Sequence, residues 1–360
     1  MTWLGLDIGG ANLKAANGLG WACSARFALW RDPQGLDRAL VALIERAPIA
    51  ESLAVTMTGE LCDCFRSKAE GVRHILAAVE RVAQGRVVRV YLVDGRFVTV
   101  SDALEAPHLA AASNWHALAR FACRFVAART GLLIDVGSTT TDVIPLIDGQ
   151  VAARGRNDTE RLLFGELLYR GIGRTPICAV VNTLPWRGQS CPIAAEVFAT
   201  TADAYVMLGE LNEDPQAEWT ADGRPLTKEC ARQRLARQLC ADAAELTADD
   251  FERIAISIRT AQLEELERTI QSVAHRLPEP SATCILSGSG EFLAKTAAER
   301  AVWEAQFVPL AAEIGLQASR CAPSHAIAVL AAEAAGKGQN ALETAALPIV
   351  EGQQVHRFRV

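Results

Sequence analysis

Short apolar runs closed by glycine punctuate this chain, and one of them sets the pattern for the rest. From Leu132 to Leu146 the order is Leu-Leu-Ile-Asp-Val-Gly-Ser-Thr-Thr-Thr-Asp-Val-Ile-Pro-Leu. An apolar strand leads to Asp135, a Gly137-Ser138 turn and a row of hydroxyls follow, and Asp142 opens a second apolar strand. This pattern predicts a buried β-hairpin with a polar tip. The same order stands near the N terminus, where Leu4-Gly5-Leu6-Asp7-Ile8-Gly9-Gly10-Ala11-Asn12-Leu13-Lys14-Ala15 aligns Asp7 with Asp135 and Gly9 with Gly137. A third glycine-rich turn, Gly288-Ser289-Gly290, follows the strand-like Cys284-Ile285-Leu286-Ser287 and leads into helical sequence.

Between these turns the periodicity alternates. Apolar positions at helical spacing predict helices over 36–46, 72–84, 110–128, 193–208, 228–237, 249–260, 263–276 and 323–335, and one starting near Thr159. Strands are expected over 53–57, 87–93, 97–100 and 177–181, and the polar 212–225 reads as an exposed loop or flap. The duplicated turn predicts an N-terminal lobe over 1–129 and a C-terminal lobe over 130–360.

Backbone N–H groups and hydroxyls crowded at a hairpin tip suit phosphate, and a carboxylate at a strand end suits Mg²⁺. Dinucleotide-binding chemistry of the Gly-x-Gly-x-x-Gly kind is excluded, because Gly9-Gly10 lacks the third glycine and runs on into strand-like sequence. A length of 360 residues, half of them hydrophobic, provides for two cores, and a net charge of −6 argues against nucleic acid as a partner. No apolar run reaches the roughly 18 residues a membrane span needs, and a first strand at Trp3 leaves no room for a leader, so a cytoplasmic protein is expected. The ten cysteines are scattered among apolar residues and read as buried, reduced thiols; Cys62-Asp63-Cys64 has no second pair to make a zinc site.

Two Asp-containing hairpins followed by a late Gly-Ser-Gly turn resemble the superfamily of acetate and sugar kinases, heat-shock chaperone ATPases and actin. The resemblance implies an α/β, two-lobed, ribonuclease H-like fold with mixed sheets, a central cleft shared by Asp7 and Asp135, and a last helix, 323–335, that packs back on the first lobe. A narrower set looks like the hydantoinase/oxoprolinase-like proteins of tetrahydromethanopterin-linked one-carbon metabolism: Met57-Thr58-Gly59-Glu60-Leu61, Ser113-Asn114-Trp115, Gly165-Glu166-Leu167-Leu168-Tyr169, Arg174-Thr175-Pro176, Asp222-Gly223-Arg224 and Arg234-Leu235-Ala236-Arg237. That resemblance implies a transferase of methanofuran-type cofactor biosynthesis, which joins a furanmethyl diphosphate to the phenol of a (glutamyl)tyramine and releases diphosphate.

On that footing Asp7 and Asp135 are expected to hold Mg²⁺, and Gly9, Gly10, Asn12, Gly137, Ser138, Thr139 and Thr140 to bind diphosphate oxygens. Gly288, Ser289 and Gly290 are the candidate nucleotide turn, Lys14 is a candidate cation for the leaving group, and Asp142 or Glu60 is the candidate base. Thr58, Glu60 and Asn114 face the cleft or merely connect and cap; Arg234 and Arg237 neutralise a polyphosphate or lie on a solvated helix face. An ATP-dependent small-molecule kinase or ATPase of the same fold is the second reading, a non-catalytic nucleotide sensor the third. The oligomeric state is left open.

Overall fold

The computed structural model describes residues 1–126, 129–302 and 304–336. The chain divides into two units, Met1–Ala117 with Pro323–Val360, and Leu118–Ala322.

The first unit carries strands β1 (Trp3–Ile8), β2 (Asn12–Ala16), β3 (Ala22–Arg26), β4 (Ser52–Met57), β5 (Val87–Tyr91) and β6 (Phe97–Val98), in the order β3-β2-β1-β4-β5-β6. β1, β4 and β5 run parallel, whereas β2 is antiparallel to both β1 and β3. Every residue of β1 and β4 is buried, as parallel strands covered on both faces must be. Helices α1 (Leu36–Ile44) and α2 (Lys68–Ala83) are followed by the shorter α3 (Val100–Glu105), α4 (Pro107–Ala110) and α5 (Asn114–Ala122). Leu4, Leu6 and Ile8 pack with Leu36, Leu40, Val72 and Ile75 in one core. The period-two alternation of a strand therefore sends Gly5 and Asp7 to the opposite face.

The second unit repeats the plan. β7 (Thr130–Val136) and β8 (Thr141–Ile147) form a hairpin, β9 (Gln150–Val151) pairs the far end of β8, and helix α6 (Asp158–Leu163) leads to β10 (Leu167–Leu168). Next come a separate hairpin of β11 (Thr183–Trp186) and β12 (Gln189–Pro192), then helices α7 (Thr201–Leu208), α8 (Lys228–Gln238) and α9 (Ala248–Ala274). β13 (Thr283–Ser287), α10 (Glu291–Ala301), β14 (Gln306–Pro309), α11 (Leu310–Ile314) and α12 (Leu316–Arg320) complete it. The main sheet has the order β10-β8-β7-β13-β14, with β7, β13 and β14 parallel and β8 antiparallel to its neighbours. Leu132, Ile134 and Val136 pack with Leu266, Ile270 and Leu293 of α9 and α10, so Asp135 lies on the face of β7 away from that core. The final helix, α13 (Ala322–Gly336), belongs to the first unit, where Ser324 and Ile327 lie against Gly5.

Several sequence expectations are corrected. Residues 177–181 are not a strand; the apolar run is too short and forms a 3-10 turn over Ile177–Ala179. The helix expected from Ile193 begins only at Thr201, where Thr200 and Asp203 make a reciprocal capping box. The missed β11–β12 hairpin turns on Arg187-Gly188, both with left-handed backbone (φ 50° and 75°), the geometry of a tight hairpin turn. The two helices expected over 249–276 are one helix of 27 residues, opened by a Thr247–Asp250 capping box. The strand over 97–100 ends at Val98, since Thr99 caps α3. α5 stops at Ala122, with a 3-10 turn over Cys123–Phe125, and Ala127 and Ala128 lie outside the described residues. All ten cysteines are free, but only Cys284 and Cys321 are buried, and Cys240 is exposed. No helix among the described residues is long and apolar enough to cross a membrane.

Candidate functional site

In the first unit, Asp7 is the penultimate residue of β1, opposite Lys14 on β2 and Thr56 on β4. It is only 5 % exposed, and its Oδ1 is buried with no hydrogen-bond partner among the described residues. Burial pushes its carboxyl up to about 6, against the pull of Lys14. The tip is closed by Gly9 N–H donating to the Asn12 carbonyl (3.0 Å), while Leu29 N–H and Phe27 N–H donate to the carbonyls of Gly10 (2.9 Å) and Ala11 (3.1 Å). Thr58 and Glu60 stand beside this tip. Thr58 N–H donates to the Ile8 carbonyl at 3.0 Å, and Glu60 is buried in the 3-10 turn Gly59–Leu61. Asn114 accepts a hydrogen bond from the Trp115 N–H at 2.7 Å, a local contact at the start of α5.

In the second unit, Asp135 occupies the matching place at the end of β7, opposite Asp142 on β8 and Ser287 on β13. Gly137 N–H donates to the Thr140 carbonyl at 2.8 Å, closing the tip as Gly9 does. The late glycine turn lies directly against it. Gly288 has φ +92°, and a methyl there would fall 2.2 Å from the Val136 carbonyl oxygen and 2.7 Å from Asp135 Oδ1, so only glycine fits. Gly290 N–H donates to that Val136 carbonyl at 2.8 Å. Asp135, Gly137–Thr140 and Gly288–Gly290 thus converge at the carboxyl ends of parallel strands, where open α/β sheets bind ligands.

Asp142 does not suit the role of base. It is buried, and Arg161, itself 2 % exposed, binds its carboxylate; burial pushes the Asp142 carboxyl up and Arg161 opposes the shift. Arg234 is likewise withdrawn from any ligand role. Its side chain is fully buried and donates to Asp203 and Asp222 at 2.8 and 2.9 Å. This network also ties down the 212–225 segment, expected as a flap, together with the Asp214–Leu226 bridge. Arg237 is half exposed, 3.6 Å from Asp222. Sequence reasoning did not assign the loop Gly171–Arg174, whose N–H groups hold the second tip; its signal was the Gly-Ile-Gly-Arg-Thr-Pro run after a short strand.

The first hairpin fits a hard cation, since Asp7 presents a buried oxygen that accepts no hydrogen bond among the described residues. No group of three or more His, Cys, Asp or Glu side chains that could hold a metal occurs among the described residues.

Two sheets of the same strand order, each with an antiparallel second strand and an Asp-bearing hairpin, define the α/β, ribonuclease H-like class of acetate and sugar kinases, heat-shock chaperones and actin. Among solved structures, nucleotide-free acetone carboxylase is similar in fold, with a TM-score of 0.52 and 10 % identity, over 91 % of this chain and 70 % of that one. The chain belongs to the hydantoinase/oxoprolinase family, whose model matches residues 51–333. It is 32 % identical to the (4-{4-[2-(gamma-L-glutamylamino)ethyl]phenoxymethyl}furan-2-yl)methanamine synthase of Methanocaldococcus jannaschii, over 91 % of this chain and 96 % of that protein. A protein of the same name from Methanococcus vannielii is 30 % identical over 55 % of this chain and 89 % of its own length.

Proposed function

We propose that this chain is a transferase of methanofuran-type cofactor biosynthesis, joining a furanmethyl diphosphate to the phenol of a (glutamyl)tyramine with release of diphosphate. The observation that carries the reading is the near full-length likeness to a protein named for a phenoxymethyl-furan product. That product contains an aryl ether, and making it requires a phenol oxygen and an activated furanmethyl carbon. In the reaction the bond from that carbon to the diphosphate oxygen breaks, with its electron pair leaving on diphosphate. The phenol oxygen bonds to the carbon, and the phenol proton passes to a base.

Asp7 and Asp135 would each hold Mg²⁺ at its own hairpin, directly or through water; when bound, the ion neutralises charge on the diphosphate. At the first hairpin the Gly10 N–H and Lys14, and at the second the Ser138 and Thr139 N–H groups with the hydroxyls of Thr139 and Thr140, would meet diphosphate oxygens; Gly9 and Gly137, whose own N–H groups close the tips, would let the backbone approach the ligand. With Asp142 engaged by Arg161, Glu60 is the remaining candidate base. The reaction takes place among small molecules in solution, with neither nucleic acid nor membrane as partner.

The second reading, an ATP-dependent kinase or ATPase, is favoured by one contact: the Gly288–Gly290 turn lies against Asp135, as a nucleotide turn beside a phosphate hairpin would. Incubation with Mg²⁺, a furanmethyl diphosphate and tyramine or glutamyltyramine should release diphosphate and form the ether, and EDTA should stop it. Formation of ADP from ATP with the same phenols, without ether, would replace the transferase with the kinase.

A further inference from the structure

The carbonyl of Gly171 gathers three side-chain donors. Thr201 Oγ1 donates at 2.8 Å, Gln262 Nε2 at 3.0 Å and Thr175 Oγ1 at 3.1 Å, and the Thr175 hydroxyl also accepts from Gly171 N–H at 2.8 Å. Gln262 Oε1 in turn accepts from the Tyr205 hydroxyl at 2.8 Å. A carbonyl can only accept, so the amide of Gln262 must face Gly171 with its nitrogen, and Tyr205 holds its other end. All four side chains are buried, so each unmade bond would be costly. Thr201 and Tyr205 stand on α7 and Gln262 in the middle of α9, so the network bolts Gly171 to two helices.

From Gly171 the constraint passes to the hairpin. A methyl on Gly171 would fall 2.5 Å from the Gly137 carbonyl oxygen, so the two backbones touch. Ile172 N–H donates to the Gly137 carbonyl at 3.1 Å, and the N–H groups of Gly173 and Arg174 both donate to the Ser138 carbonyl at 2.9 Å. No peptide bond among the described residues is cis, and in a trans peptide the C=O and the following N–H point in opposite directions. With both carbonyls turned into the Gly171–Arg174 loop, the N–H groups of Ser138 and Thr139 point away from it, side by side. Neither donates to a partner among the described residues. Two adjacent unspent N–H groups make a concave anion seat.

We propose that Tyr205, Gln262 and Thr201 are positioning residues for this seat: acting through Gly171, they aim the N–H groups of Ser138 and Thr139 at a phosphate group of the substrate. The inference rests on the proposed function in that it takes the bound group to be a diphosphate. No member of the network touches that group; each sets the direction of donors that do.

The test is titration of the full chain with inorganic diphosphate and Mg²⁺ by calorimetry, run well below each variant's melting temperature, with a melting curve alongside. Gln262→Leu should weaken diphosphate binding about tenfold, as loss of one well-made hydrogen bond would. Tyr205→Phe, which keeps the ring and removes only the hydroxyl, should weaken it about threefold and serves if Gln262→Leu does not fold. In amide spectra the Ser138 and Thr139 resonances of the wild type should move on adding diphosphate, and less so in Tyr205→Phe. Variants that melt lower yet bind diphosphate as the wild type does would overturn the inference and leave the proposed function standing. A wild type that binds no diphosphate would overturn both.

Discussion

Lys14 and Asp142 occupy the same place in the two units, each directly across an antiparallel hairpin from the strand-end aspartate, Lys14 opposite Asp7 and Asp142 opposite Asp135. Directly opposed residues share a sheet face, so the first aspartate has a cation for a neighbour and the second has another carboxylate. The second arrangement is relieved from outside the hairpin, by Arg161 on α6. The two hairpins share a backbone plan and differ in electrostatics, and the predictions below separate the ligand-facing carboxylates from the structural ones.

Asp135→Asn should abolish turnover and leave the melting temperature almost unchanged. The two side chains have nearly equal volume, and Asp135 is only half-buried, away from the helix-packed core. Loss of one preorganised electrostatic contact at a transition state costs about 3 to 4 kcal/mol, roughly 100- to 1,000-fold in rate. Near wild-type turnover would remove Asp135 from the site, and an unfolded variant would make it structural.

Asp7 should make the metal-free protein less stable as pH rises. Its carboxyl titrates near 3.8 in the unfolded chain and is pushed up to about 6 in the fold by burial, so between these values the folded state holds the extra proton. Stability then falls with rising pH across that window, by about 3 kcal/mol in all, and levels off above it. Mg²⁺ bound by the carboxylate would counter the loss, stabilising more at pH 8 than at pH 5. Melting curves across pH, with and without Mg²⁺, test this, and Asp7→Asn should flatten the profile; a slope that persists in that variant would assign it to another group.

Asp142→Asn should act on stability first. It leaves Arg161 buried beside a neutral partner, with the Asp158 carboxylate at 3.7 Å and the Glu166 carbonyl at 3.4 Å beside it. Breaking a buried pair costs about 3 to 5 kcal/mol. Chemical denaturation should show a loss of that order, with turnover per folded molecule retained; full stability with lost turnover would restore Asp142 as a base.

Arg234→Ala and Arg237→Ala should separate sharply although the two residues share a helix. Removing Arg234 strands Asp203, which is fully buried and whose carboxyl burial already pushes up, and should destabilise by about 3 to 5 kcal/mol. Removing Arg237, half exposed, should change stability by less than about 1 kcal/mol. Equal effects in denaturant melts would contradict the structural role given to Arg234.

What could be read from the sequence was whatever depends on local order. Short apolar runs around Asp7 and Asp135, and glycines at 9, 137 and 288, mark hairpin tips and a strand-to-helix turn, because their conformations are dictated by neighbours in the chain. The Arg161–Asp142 and Arg234–Asp203 pairs join residues 19 and 31 positions apart, and no local pattern distinguishes their arginines from solvated ones. The Thr200–Asp203 capping box is local and was legible, yet the apolar run before it masked the start of α7. The Gly171 network draws on three segments, the Gly171–Thr175 loop, α7 and α9, and existed only once they were folded together.

α9 passes through two hydrophobic clusters of the second unit: Phe251, Ile254 and Ile258 lie in one, Leu263, Leu266 and Ile270 in the other, and Gln262 stands between them. Its 27 residues give a rod of roughly 40 Å with no proline or glycine to bend it. The two clusters are therefore coupled mechanically. Neither can loosen on its own without breaking the helix at the turn that holds the Gly171 carbonyl, so the backbone amides around that turn should exchange with solvent only when the whole unit opens at once.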